Sequence, residues 1–281
     1  MSAIDVANPV ITDDDLLRQR YGADAVPAAG KLNQVLRSLI AHRSVRAYLP
    51  RPLPPGTLEA IVAAAQSAPS SSNLQAWSVI AIEDADRKAR LAQVAGGQAH
   101  IEQTPLFLVW LADLSRLDRA AAAQGRKLEA CDYLETFLVA AIDAALAAQN
   151  AAAAAESLGL GTVFIGAMRN DPQRVAAELG LPPQVMAVFG LCVGYADPAK
   201  PAAIKPRMPQ PVVLFHERYA PENEKDQISR YDQTLAAFSR AQGMGDITWT
   251  GRVLSRFATL KAMNGRDRMR AMMMALGFEL R

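Results

Sequence analysis

Most signatures that announce an enzyme are missing from this chain. It has no G-x-G-x-x-G fingerprint, no G-x-x-x-x-G-K-[ST] loop, no G-x-S-x-G elbow and no C-x-x-C pair. Dinucleotide-fold, kinase-like and hydrolase readings therefore lack support. Cysteine is nearly absent. Cys131 and Cys192 are the 2 present, far apart and each in an apolar run, so they read as free buried thiols in a reducing compartment. With 3 histidines and no paired spacing, no metal site is expected. Charge of one sign is also lacking. A net charge of +2 argues against an extended nucleic-acid surface, although a local basic pocket can hide within it. The start, "MSAIDVANPVITDDD", is acidic and has none of the basic-then-apolar pattern of a secretory signal. The nearest thing to a membrane span lies near Ala140–Ala155, where Asp143, Gln149, Asn150 and Glu156 interrupt it. A cytoplasmic, soluble protein is expected, with no nucleic-acid or membrane partner.

Apolar residues make up 51% of the 281, enough for a sizeable core. Residues 1–30 carry little periodicity and read as an N-terminal extension with one short helix near Asp14–Tyr21. Helical spacing starts at Leu32 and must end before the prolines of 50–55. A helix fits Thr57–Gln66 with Thr57 as its N-cap, and another fits Asp86–Val94, closed by Gly96 and Gly97. "WSVIAIED", "PLFLVWLAD", "GTVFI" and "VMAVFGLCVGYA" read as strands, the second and fourth buried on both faces. The longest element is expected over Leu128–Leu158, about 45 Å of alanine-rich helix. Further helices are expected at Pro172–Leu179, Lys225–Arg240, Trp249–Met263 and Asp267–Leu276. Helices and buried strands interleave without a repeat or linker, which points to an α+β fold with a central sheet and residues 31–281 as a single domain.

Five stretches carry candidate chemistry. "HRSVR" brings His42, Arg43, Ser44 and Arg46 together ahead of a proline run, and "KPR" places Lys205 and Arg207 around a proline. Both suit an anion such as a phosphate, and both could equally be solvated basic patches. "SAPSSSNLQAW" offers Ser70, Ser71, Ser72 and Asn73 to a polar ligand edge, or is a plain loop. Gln98 in "GGQAH" could present its amide to a heterocycle. Gly166 in "FIGAMRN", directly after a strand, marks either a turn or a close approach of the backbone to something.

In this order, "HRSVRAYLPRPL", "APSSSNLQAW", "GGQAHIEQTPLFLVWLADL", "AAQNAAAAAESLGLGTVFIGAMRND", "FGLCVGYA", "KPRMP" and "FHERY" resemble the FMN-dependent nitroreductase superfamily. The closest likeness is to its oxygen-insensitive NADPH nitroreductase and flavin reductase branch, from about Lys31 onward. The resemblance implies the nitroreductase-like fold, a central mainly antiparallel sheet flanked by helices, in a domain-entwined homodimer with a C-terminal tail packed on the partner. It implies FMN as bound cofactor, NADPH or NADH as electron donor, and nitroaromatics, quinones or free flavin as oxidants. It assigns the FMN phosphate to His42, Arg43, Ser44, Lys205 and Arg207, and places Arg46 beside the pyrimidine ring. It gives Ser70, Ser71 and Ser72 to the flavin of the neighbouring subunit, Gln98 to the pyrimidine edge, and the backbone of Ile165 and Gly166 to the reactive nitrogen. Asn73 and Arg169 fall to the substrate channel.

The branch usually grips the NADPH 2′-phosphate with an arginine-rich loop. Here that text is "SRAQGMGDITW". Arg240 remains, while later positions hold Gly and Met, with Arg252 and Arg256 following in the next helix. The departure opens NADH use. No side-chain acid, base or nucleophile is implied, since the flavin carries the chemistry. The alternatives are a specialised enzyme of the same fold with other flavin chemistry, such as reductive dehalogenation, and a non-enzymatic phosphate-ligand binder.

Overall fold

A computed structural model describes residues 11–222 and 224–281. In chain order the helices are α1 (Asp13–Tyr21), α2 (Gln34–Ile40), α3 (Thr57–Gln66), α4 (Ala85–Val94), α5 (Ala99–Gln103), α6 (Ser115–Ala122), α7 (Leu134–Ser157), α8 (Pro172–Leu179), α9 (Glu224–Ala241), α10 (Trp249–Phe257) and α11 (Met269–Ala275). The strands are β1 (Trp77–Ile82), β2 (Leu106–Asp113), β3 (Gly161–Ile165) and β4 (Val185–Gly194). Contacts divide the chain into two compact units. One contains residues up to Arg43 together with Ala203–Thr259; the other contains Ser44–Ala202 and Leu260–Arg281.

The second unit holds the sheet, ordered β1-β2-β4-β3 with every neighbouring pair antiparallel. Alternation along β2 builds two cores. Leu106, Leu108 and Trp110 face α3 and the alanines of α7, which include Ala144, Ala148 and Ala151. Phe107, Val109 and Leu111 face the opposite way, onto Leu91 of α4 and Val175 of α8. Every residue of β2 is buried, as a strand sandwiched between helix layers must be. By length and composition α7 is long enough to cross a membrane, but its small-residue face is a core face, covered by α3 and the sheet.

The expected helix over 128–158 is shorter at its start. Residues Glu129–Asp132 form a 3₁₀ turn and Tyr133 is extended, at φ −102° and ψ 147°. The cause is tertiary. The C-terminal residue pairs with this stretch, Arg281 N–H donating to Asp132 O at 2.9 Å and Leu134 N–H to Arg281 O at 3.3 Å. What remains is 24 residues of helix, about 36 Å. Thr57 is the first residue of α3 and not its cap, which is Gly56 at φ +82°. The helix expected to reach Met263 stops at Phe257, and the last helix begins with a 3₁₀ turn at Arg266–Arg268.

The segment after Arg43 runs beside β3. Ser44 bridges Thr162 in parallel fashion, and Val45 N–H donates to Thr162 O at 2.9 Å. Tyr48 fastens the far side through its buried hydroxyl, which donates to Val45 O at 2.9 Å. Closeness here requires glycine at 161, where a Cβ would lie 2.6 Å from Val45 Cγ2.

The first unit is built on α1 and α2. Thr12 caps α1, and Asp13, Asp14 and Asp15 in its first turn favour the positive end of the helix dipole. Leu16 and Leu17 of α1 bury against Leu32 and Ile204. Asp13 also pairs with Arg37 of α2 and accepts from Leu32 N–H at 3.1 Å.

Gly161→Ala should push the Ser44–Arg46 segment off β3 at a cost of about 1–3 kcal/mol, the usual penalty of overpacking. Urea unfolding of the two proteins measures it, and equal midpoints would contradict the packing described.

Candidate functional site

In the first unit two basic segments meet on one guanidinium. Arg20, in the last turn of α1, is 6% exposed. Its Nη1 donates to Lys205 O at 2.6 Å and its Nη2 to His42 O at 2.6 Å. Ile40 O accepts from Nη2 at 2.7 Å and from Nε at 3.1 Å. The backbone of Arg20 takes part as well, its carbonyl accepting from Arg207 N–H at 2.7 Å. Pro206 between them is fixed by Tyr231, whose hydroxyl donates to Pro206 O at 3.0 Å, and burial raises that phenol's pKa. The structure thus brings the sequence-derived segments of His42, Arg43, Lys205 and Arg207 side by side. Arg43 and Arg207 are exposed, while His42 and Lys205 are half-buried.

In the second unit the serine loop is not a plain connection. Ser72, Asn73 and Gln75 stand at φ +48°, +56° and +51°, a left-handed backbone that non-glycine residues rarely adopt. The loop is held at both ends by Asp143 of α7, which is 2% exposed. One carboxylate oxygen accepts from Ser71 N–H at 3.0 Å and the other from Ala76 N–H at 3.2 Å. Ser70 Oγ accepts from Gln75 N–H at 3.4 Å, and Asn73 Oδ1 accepts from the Gln75 amide at 3.3 Å.

Arg46 is exposed, and its guanidinium makes a long contact of 3.4 Å to Ser44 O. Its charge reaches His100, whose imidazole pKa is lowered first by burial and then by Arg46. His100 Nε2 is buried and has no hydrogen-bond partner among the described residues. Gln98 caps α5 and donates one amide N–H to Ala95 O at 2.8 Å, which leaves its side-chain oxygen and second N–H for a ligand.

Ile165 is 3% exposed as a whole residue and its side chain belongs to the core, so the side chain is not the part that meets a ligand. Gly166 follows at the start of a 3₁₀ turn, where a Cβ would lie 3.4 Å from the Arg169 guanidinium. Arg169 does structural work too. In β4 the register slips so that Trp110 faces Phe189 while Leu111 faces Ala187, which leaves Val188 bulged out of the ladder. Arg169 donates to the carbonyl of Val188. Asn170 Oδ1 accepts from Arg266 Nε at 2.9 Å and Nη2 at 2.8 Å, anchoring the same turn. Arg240, in the first unit, ends α9 in an exposed ion pair with Asp246.

Sequence reasoning missed Arg20 in the first unit and Asp143 and His100 in the second. Asp143 had a signal, as the one acid within an alanine run. His100 stood inside a quoted motif. Arg20 sat in "LRQRY" with nothing local to mark it. No cluster of three or more metal-ligating side chains occurs among the described residues.

Residues 39–195 match the model of the Nitroreductase family, and residues 205–281 match that of the Nitroreductase family, C-terminal domain. The chain is 40% identical to an FMN reductase [NAD(P)H] of Bacillus subtilis, over 82% of this chain and 93% of that protein. It is 39% identical to an oxygen-insensitive NADPH nitroreductase of Salmonella typhimurium, over 75% and 85%. A solved oxidoreductase from Bacillus subtilis superposes with a TM-score of 0.83 at 38% identity, covering 89% of this chain and 99% of its own. The NADPH:FMN oxidoreductase from Vibrio harveyi complexed with NAD+ superposes with a TM-score of 0.78 at 33% identity, covering 89% and 100%. With both of its halves matched in order and its sheet and helices shared with these structures, the chain belongs to the nitroreductase family.

Proposed function

We propose that this protein is an FMN-dependent NAD(P)H oxidoreductase that reduces free flavin, quinones or nitroaromatics in two-electron steps. The observation that carries the reading is the meeting of the His42–Arg43 and Lys205–Arg207 segments on Arg20, a cationic cradle suited to a phosphate ester. The buried, unpartnered His100 Nε2 and the strained serine loop also fit a polar ring system better than an empty core.

In this reading His42, Arg43, Lys205 and Arg207 hold the phosphate of FMN, together with the Ser44 hydroxyl next in the chain. Arg46 supplies a fixed cation where negative charge develops, which favours the reduced form of the ring. Gln98 and the backbone at Ile165 and Gly166 orient the ring. Ser70, Ser71 and Ser72 serve the flavin of a partner subunit, and Asn73 and Arg169 border the space for the acceptor. FMN, when bound, supplies the hydride-accepting and hydride-donating centre that no side chain of the protein possesses. The two thiols offer no rival chemistry. Cys131 and Cys192 are free and buried, and burial raises both pKa values, so they stay protonated near pH 7. Free thiols accord with a cytoplasmic location, where NAD(P)H is supplied.

Residues 31–281 act as one nitroreductase domain, and two copies make the working unit. Along α7 the residues Leu134, Leu138, Ile142 and Leu146, spaced by four, are 47%, 44%, 57% and 40% exposed on the flank away from the buried alanines. A contiguous apolar ridge of this kind is what a second copy covers. Light scattering should give twice the chain mass, and Ile142→Asp should shift it toward the monomer; a monomeric unsubstituted protein would remove this part of the reading.

Arg240 recognises the dinucleotide, and its pairing with Asp246 means that an incoming 2′-phosphate must displace a carboxylate. Arg240→Ala should raise KM for NADPH several-fold more than for NADH, and Asp246→Asn should lower KM for NADPH; equal effects on both donors would place 2′-phosphate recognition elsewhere. The function itself is tested by initial rates with donor and acceptor both varied. Parallel double-reciprocal lines are expected because both substrates use one site in turn, whereas intersecting lines would contradict that order.

A further inference from the structure

Helix α1 lies outside both stretches that match the family models, which begin at residue 39. From the geometry of Arg20 we infer that α1 is a phosphate-site brace: Arg20 positions the backbone of His42, Arg43 and Lys205 for the FMN phosphate without touching it. The inference rests on the FMN reading above and adds a positioning residue to it.

A guanidinium is planar, holds five donors in a fixed fork and stays charged at any pH the protein meets. Arg20 uses that fork on three carbonyls, those of Ile40, His42 and Lys205, which come from segments more than 160 residues apart in the chain. Bonds to a charged donor are about twice as strong as neutral ones, so the two segments are fixed relative to each other and not merely adjacent. The second tie, from Arg207 N–H to Arg20 O at 2.7 Å, stops the 205–207 segment from rotating about the first.

The brace also sets direction. In a trans peptide the N–H points opposite to the C=O. With the His42 carbonyl turned onto Arg20, the N–H of Arg43 is turned away from it. That N–H has no hydrogen-bond partner among the described residues, whereas Ala41 N–H and His42 N–H return to Arg37 O and Leu39 O at the end of α2. An outward amide between His42 and the Arg43 side chain is a donor suited to a phosphate oxygen. The apolar contacts of Leu16 and Leu17 with Leu32 and Ile204 seat the helix, and the Asp13 pairing with Arg37 ties its start to α2.

The test compares two ligands that differ by the phosphate alone. FMN and riboflavin are titrated by flavin fluorescence into the full-length protein, into Arg20→Ala and into Arg20→Lys. The expected result is an FMN Kd raised at least tenfold in both variants, with the riboflavin Kd within about threefold of the unsubstituted chain. Lysine fails because one ammonium cannot fork to three carbonyls. Loss of both flavins by the same factor, an unchanged FMN Kd, or full rescue by lysine would each overturn the inference. Should neither variant fold, hydrogen exchange in the unsubstituted chain decides: FMN, and not riboflavin, should slow exchange at Arg43 N–H, and equal rates with both would overturn it. An unsubstituted protein that binds no FMN would instead overturn the functional reading on which this one stands.

Discussion

A backbone that leaves a helix or a strand still carries an N–H and a C=O that need partners, and an unpaired buried one costs about 1–3 kcal/mol. Such backbone carries the candidate residues of each unit: 42–43 and 205–207 in the first, and 44–46, 70–75 and 166–170 in the second. In each unit buried or half-buried side chains from distant elements meet the need. Arg20 takes three carbonyls, Asp143 takes two amides at the ends of the serine loop, and Arg169 takes the carbonyl that the β4 bulge frees from the ladder. In the proposed reading the same side chains set the positions of the residues assigned to FMN. On that reading, stability and ligand geometry rest on the same bonds.

Division of labour follows from this. The sheet and its two helix layers supply rigidity. Its central strand is buried along its whole length, and Gly161 lets the Ser44–Arg46 segment approach β3 closely. The proposed function gives recognition to the polar segments. Arg46 remains exposed, while the pKa of the neighbouring His100 is lowered by burial first and then by that arginine's charge. Candidate residues that are cations, hydroxyls and amides suit chemistry that a bound cofactor performs.

The sequence disclosed the strands well, because continuous apolar runs such as Leu106–Asp113 have no other comfortable place than a sheet covered on both sides. Helix α3 matched residue for residue because its periodicity and flanking loop are local features. The start of α7 was not legible, since its extended residues answer to the C-terminal Arg281, nearly 150 positions away. The serine loop could not be told from ordinary loop composition, as its left-handed residues carry no glycine to betray them. Arg20 was the least visible of all. Nothing about an arginine near the end of a short helix says that its guanidinium will be buried against three carbonyls. Residues 1–10 and Asn223 lie outside the described residues, so the opening of the expected N-terminal extension falls there.

The most direct measurement of the central claim is the flavin content of the purified chain. After removal of bound ligand in high salt and back-titration with FMN, the absorbance spectrum should show a flavin band saturating at about one FMN per chain. Added NADPH or NADH should bleach that band without oxygen, and a quinone or nitroaromatic should restore it. A chain that stays colourless at saturating FMN, or a bound flavin that neither donor bleaches, would contradict the account.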